Sequence, residues 1–140
     1  VEQLYKAADN GVKIKMIIRG ICCLIPTHHK NIKVISIIDR FLEHTRIFIF
    51  NNNKKNETYI SSADWMTRNL DNRVEVTCPI HDSKIKKEIN DIFNIYWSDN
   101  VKSRLINQKD ANVYKSDIKK SNSLRSQLEI YNYYKSKIEN

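Results

Sequence analysis

Residues 12–20, VKIKMIIRG, alternate polar and apolar side chains and then run continuously apolar up to Arg19-Gly20. This pattern predicts a strand entering a buried sheet. Just upstream, Val1, Leu4, Tyr5 and Ala8 share one helical face, and Gly11 is a natural residue on which to end that helix. Downstream, residues 26–31, PTHHKN, read as a loop, and the β-branched run 32–38 reads as a second strand. A helix followed by a strand predicts an α/β layer. Arg19-Gly20 then falls at the C-terminal end of the strand, where open α/β sheets tend to bind ligands.

Beyond this nucleus, residues 46–50 and 58–61 predict a hairpin around the Asn- and Lys-rich turn 51–57. RVEVTCPI predicts a further strand over 73–78 that stops at Pro79. Ile85, Ile89, Ile92, Phe93 and Tyr96 have helical spacing, with Asp82 or Ser83 as cap and His81 at the helix start. Residues 108–122 read as a loop, and Leu124, Leu128, Tyr131 and Ile138 mark an amphipathic helix over 123–138. Two glycines in the whole chain exclude a Gly-rich phosphate loop.

The 140 residues, 41% of them hydrophobic, suit one globular domain and exclude a disordered chain. No apolar run approaches the roughly 18 residues of a membrane span, and the first ten residues lack the apolar stretch of a secretory signal. Val1 in place of an initiator Met leads us to expect a longer parent chain. Three cysteines cannot all pair, which suits a reducing cytoplasm. The net charge of +8 divides as +4 over residues 1–50, −1 over 51–100 and +5 over 101–140. Such an excess suits a polyanion: nucleic acid, a phosphorylated ligand or an anionic membrane surface. Most of the lysines are accounted for as solvated surface. Cys22, Cys23, His28 and His29 lack the ligand spacing of zinc sites. Trp65, Trp97 and the tyrosines of the last helix read as core or interface.

The chemistry-bearing residues concentrate between Asp39 and Glu75. His44 and Arg46 are two apart at a strand entrance and project to one side. Ser61-Ser62-Ala63-Asp64 sets two hydroxyls and a run of backbone N–H groups at another strand end, and Arg68 and Arg73 follow. An imidazole among guanidiniums and hydroxyls suits a phosphoryl group, because Arg grips phosphate oxygens through paired hydrogen bonds. The string His44-x-Arg46, Asn51, Ser61-Ser62-Ala63-Asp64 resembles the His-x-Lys, Asp, Gly-Ser-x-Asn motif of the phospholipase D superfamily. Arg replaces Lys, Asn replaces Asp and Ser replaces Gly, which weakens the case for a phosphodiesterase.

Longer words resemble another family. IIRGICCLIP (17–26), IKVISIIDRFLEHTRIFIF (32–50) and YISSADWMTRNLDNRVEV (59–76) are similar to the C-terminal catalytic domain of bacterial polyphosphate kinase. DIFNIYWSDNVKSRLI (91–106) and SLRSQLEIYNYYKSK (123–137) fit that domain's end. The likeness covers essentially the whole chain, and one departure is the short PTHHKN loop. It implies a phospholipase D-like mixed β-sheet flanked by helices, in a single domain over 1–140.

The resemblance also implies roles. Arg19 and Arg73 contact nucleotide phosphates, and His44 lies in the same phosphate site, opposite a second histidine that becomes phosphorylated. That histidine, the Mg²⁺ ligands and the adenine contacts belong to upstream domains, so this chain would hold half an ATP and polyphosphate site and be inactive alone. Arg46, Ser62, Asp64 and Arg68 are supporting candidates. The competing structural readings are a salt bridge for Arg19, pairing of Arg73 with Asp71 or Glu75, and fold-holding roles for the supporting four. Lys115, Lys119, Lys120 and Arg125 are candidate guides for a polyphosphate chain, although plain solvation is the simpler account of them. The family also implies a homo-oligomer without nucleic acid or a transmembrane segment, cytoplasmic or peripheral at the inner face of the membrane. The rival classes are a phosphodiesterase or nuclease of the phospholipase D superfamily and a non-enzymatic polyanion-binding module.

Overall fold

The computed structural model describes residues 1–26, 29–107, 113–115 and 123–139. They divide into two compact units, residues 1–43 with 94–140 and residues 44–93. Both mix helices and strands, so the α/β class is observed, in two sheets rather than one.

The first unit opens with helix α1 (Glu2–Asp9). Gly11, at φ +88°, ends it. Gly11 N–H bonds the Ala8 carbonyl at 3.0 Å and Val12 N–H the Ala7 carbonyl at 3.0 Å, the paired bonds of a Schellman stop. Strands β1 (Ile14–Ile18) and β2 (Ile32–Ile37) then pair in parallel, with Ile14 opposite Ile32 and Ile18 opposite Ser36. Ala8, Leu24, Ile32 and Val34 form a buried cluster against which Leu4, Tyr5 and Met16 pack. Ile35 and Ile37, on the other face of β2, are also buried. Thus both faces of β2 are covered, as its apolar run requires.

The second unit holds the expected hairpin, β3 (Ile47–Phe50) and β4 (Glu57–Ser61), antiparallel with Ile47 opposite Ile60. Its turn carries Asn52, Asn53 and Lys54 at positive φ; asparagine visits this region more readily than most residues. A short helix α2 (Thr67–Asn72), which the sequence reading missed, precedes β5 (Thr77–Ile80). The strand expected over 73–78 therefore starts four residues later and runs through Pro79. β5 pairs only with β4, and an edge strand tolerates a proline whose missing N–H would face away from the ladder. Val74, alternating in sequence as a strand residue should, is 100% exposed.

Helix α3 (Ser83–Ser98) is capped by Asp82, whose Oδ1 accepts the N–H groups of Lys84 and Ile85 at 2.8 and 2.9 Å. Its last residues belong to the first unit. There the short strands β6 (Ser103–Leu105) and β7 (Val113–Tyr114) complete the order β1-β2-β6-β7, both joining antiparallel. Val113 and Tyr114 lie inside the segment expected to be a loop. Most of that segment, like His28, is outside the described residues. Helix α4 (Ser126–Ile138) starts three residues later than expected, and Leu128, Tyr131 and Ile138, its supposed apolar face, are exposed. Among the described residues, no helix is long and apolar enough to cross a membrane.

Candidate phosphate site

Within the first unit, Arg19 follows the last residue of β1, as the sequence predicts. Its Nη1 donates to the Glu43 carbonyl at 2.9 Å, and the Arg19 carbonyl accepts the Ser36 hydroxyl at 3.4 Å. A cleft of about 270 Å³ opens between Arg19 and the strap 37–43 that leaves β2. The strap is pinned from the other end of the chain. Arg125 grips Asp39 in a two-pronged ion pair of 2.7 and 2.6 Å, which holds the Asp39 carboxyl below its usual pKa against a smaller opposing effect of burial. Gln127 exchanges hydrogen bonds with the backbone of Phe41 and donates to Glu43 Oε1 at 2.7 Å, while the Tyr96 hydroxyl donates to Glu43 Oε2 at 2.5 Å.

Asp99 ties down the same region. Its carboxylate is completely buried and accepts the N–H groups of Val101, Lys102 and Ser103 on Oδ1. Oδ2 accepts the N–H and hydroxyl of Ser126. Burial pushes its pKa up, but the bonds from Ser126, Lys102 and Ser103 outweigh it and hold the carboxyl below the usual range. Asp99 thus caps α4 from a distance. Tyr96, Asp99 and Gln127 were missed at the sequence level; only the Asp99-to-Ser103 spacing, an Asx-type turn, hinted at one of them.

In the second unit His44 is exposed and touches Arg46 twice: Nη2 lies 3.1 Å from the imidazole Nε2 and Nη1 donates to the His44 carbonyl at 3.2 Å. Arg46 Nε donates to Asp64 Oδ1 at 2.8 Å, which raises the guanidinium pKa. Ser62 donates its hydroxyl to Glu75 Oε2 and accepts the Val76 N–H at 3.0 Å, while Asn69 donates to Glu75 Oε1 at 2.7 Å. Hydrogen bonds from Ser62 and Asn69, aided by the charges of Arg73 and Arg46, hold the Glu75 carboxyl below its usual pKa. Arg46, Ser62 and Asp64 therefore have fold-holding partners. Arg68 and Arg73 are exposed, and among the described residues the side chain of neither makes a hydrogen bond or ion pair. Neither Asp71 nor Glu75 forms the expected alternative ion pair with Arg73, whose charge only helps to lower the Glu75 pKa.

Other candidates have structural partners. His29 lies 2.8 Å from Asp9 and stacks on Tyr5. Trp65 stacks on Phe48 at 5.2 Å between centroids. Lys115 donates to the Trp97 carbonyl, and burial lowers its pKa. Lys119 and Lys120 lie outside the described residues. Among the described residues no three His, Cys, Asp or Glu side chains gather as a metal site requires.

The comparisons bear on this arrangement. Residues 1–127 match the family model described as "Polyphosphate kinase C-terminal domain 2". The chain belongs to the polyphosphate kinase C-terminal domain family. It is 50% identical over 140 residues to a polyphosphate kinase of Vibrio parahaemolyticus, covering 96% of this chain and 20% of the relative. A polyphosphate kinase of Klebsiella pneumoniae is 48% identical over 141 residues, with 97% and 20% covered. The crystal structure of polyphosphate kinase from Porphyromonas gingivalis superposes with a TM-score of 0.93 at 46% identity, over 99% of this chain and 22% of that one. The chain therefore spans about a fifth of the length of its curated relatives in this family.

Proposed function

We propose that this chain is the C-terminal part of a polyphosphate kinase and supplies half of its ATP and phosphate site. In this reading ATP gives its γ-phosphoryl to a histidine nitrogen on an upstream domain and ADP departs. The terminal oxygen of polyphosphate then takes the phosphoryl as the P–N bond breaks, and the reverse reaction makes ATP. Phosphoryl transfer asks of the protein mainly positioning and neutralisation of charge. Arg19 and Arg73 neutralise non-bridging oxygens, and His44 meets the transferred group. Arg46, Ser62, Asp64 and Arg68 support it. The observation that carries the reading is the pair of exposed groups His44 and Arg73, beside carboxylates already engaged by Arg46, Ser62 and Asn69.

Mg²⁺ would travel with the nucleotide and be held by upstream residues. The described residues offer no ligand set for it. The 140 residues work as one domain, within a homo-oligomer and without nucleic acid. The compartment is the cytoplasm, which the three free cysteines suit, with any membrane contact peripheral at its inner face.

The test is polyphosphate synthesis from ATP by the full-length enzyme. His44→Ala abolishes turnover if the reading holds, whereas near-normal synthesis by a folded variant refutes it. Cleavage of bis-nitrophenyl phosphate or of DNA by the same preparation would favour the phosphodiesterase class instead. DNA binding unaffected by ATP would favour a polyanion-binding module.

A further inference from the structure

We propose that Arg46 is a positioning residue that holds His44 as the tautomer protonated on Nδ1, with its lone pair on Nε2. A guanidinium carries N–H donors, no acceptor, and does not lose its proton in proteins. At 3.1 Å from Arg46 Nη2, His44 Nε2 can only accept. A neutral imidazole that accepts on Nε2 carries its hydrogen on Nδ1. Free imidazole side chains in water favour the opposite tautomer, so the arginine reverses the intrinsic preference.

The guanidinium is not free to turn away. Asp64 Oδ1 holds its Nε at 2.8 Å and the His44 carbonyl holds Nη1 at 3.2 Å. These bonds and the one to Nε2 use three nitrogens of one rigid plane. The Arg46 and Asp64 side chains are mostly buried, at 16% and 26% exposure, while the imidazole they orient is exposed.

Two consequences deepen the proposed function, on which this inference rests for its link to catalysis. The face of His44 left for substrate is the Nδ1–H, a hydrogen-bond donor suited to an oxygen of a phosphoryl group. The Nε2 lone pair is occupied by Arg46, so His44 donates a hydrogen bond and does not serve as a second phosphoryl acceptor. The departure from the superfamily motif, Arg for Lys two residues after the histidine, thereby acquires a role. A lysine ammonium is a single point charge on a flexible stem and cannot make the three bonds in one plane.

The tautomer is read by ¹⁵N NMR of the full-length enzyme labelled in histidine, with His44→Gln assigning the resonance. We expect Nδ1 protonated and Nε2 unprotonated in the parent. In Arg46→Met the balance moves toward protonated Nε2, and kcat for polyphosphate synthesis falls about 10–100-fold while the KM for ATP stays within about threefold. Arg46→Lys restores part of both. Should Arg46→Met fail to fold by circular dichroism, Asp64→Asn, which frees the guanidinium, is read the same way. A parent protonated on Nε2, or a variant whose tautomer does not move, overturns the inference. Full activity in His44→Gln would instead overturn the proposed function, while the tautomer result still decides the role of Arg46.

Discussion

The unit of residues 1–43 and 94–140 buries Leu24 and, on both faces of β2, Ile32, Val34, Ile35 and Ile37, whereas the unit of residues 44–93 buries only Ala63 and Ile89 among its described apolar side chains. In the second unit polar groups take up the work: Glu75 between Ser62 and Asn69, Arg46 between His44 and Asp64. Apolar packing is non-directional and survives small adjustments of angle. A polar network fixes orientation, and every partner lost from it leaves a group unsatisfied. The first unit is thus a frame, and the second presents an imidazole in a set attitude.

Substitutions can break or sharpen that contrast. The largest effect is expected at Asp99, a buried carboxylate within the packed unit. Asp99→Ala strands five donor groups and should cost about 3–5 kcal/mol in urea unfolding. Its carboxyl pKa is depressed in the folded protein, so its contribution is present above the unfolded value of about 4 and lost as pH falls through the folded one. Asp99→Asn should therefore flatten the acid limb of the stability curve, and an unchanged limb would contradict the assignment. Next comes Ile35→Ala, at 2% exposure, which should cost about 3 kcal/mol by leaving a cavity. Asn69→Ala, which removes one of the two holds on Glu75, should cost about 1–2 kcal/mol. The smallest effect belongs to Ile60→Ala in β4, 44% exposed, at under about 1 kcal/mol. Equal losses at Ile35 and Ile60 would erase the distinction between the units.

The same contrast explains what could be read from the sequence. α1, β1 and β2 were legible because burial imposes a period on them, and Gly11 marked the helix end. β5 was misplaced because residues 73–76 alternate without being buried, leaving Val74 in solvent. α2 is six residues long and β6 three, too short to show a period. In α4 the apolar positions were found, but exposure of Leu128 and Tyr131 shows that spacing alone does not make a buried face. For the site, His44, Arg46, Ser62 and Asp64 were visible as residue types in a recognisable order. The partners that orient them or pin the strap before His44, such as Asn69, Tyr96 and Gln127, are ordinary polar residues until the fold brings them close. Bonds such as Gln127 to Glu43 span 84 positions, which no local pattern can reveal.

The proposed function rests most directly on His44 and Arg73, both in the second unit, serving one bound phosphate chain. A double-mutant cycle on ATP affinity tests it, with His44→Ala, Arg73→Ala and the pair compared in the full-length enzyme by calorimetry. Two side chains sharing a ligand should be coupled by at least about 0.5 kcal/mol, each single substitution already weakening binding. Losses that add to within about 0.3 kcal/mol, or no loss at all in either single variant, would contradict it.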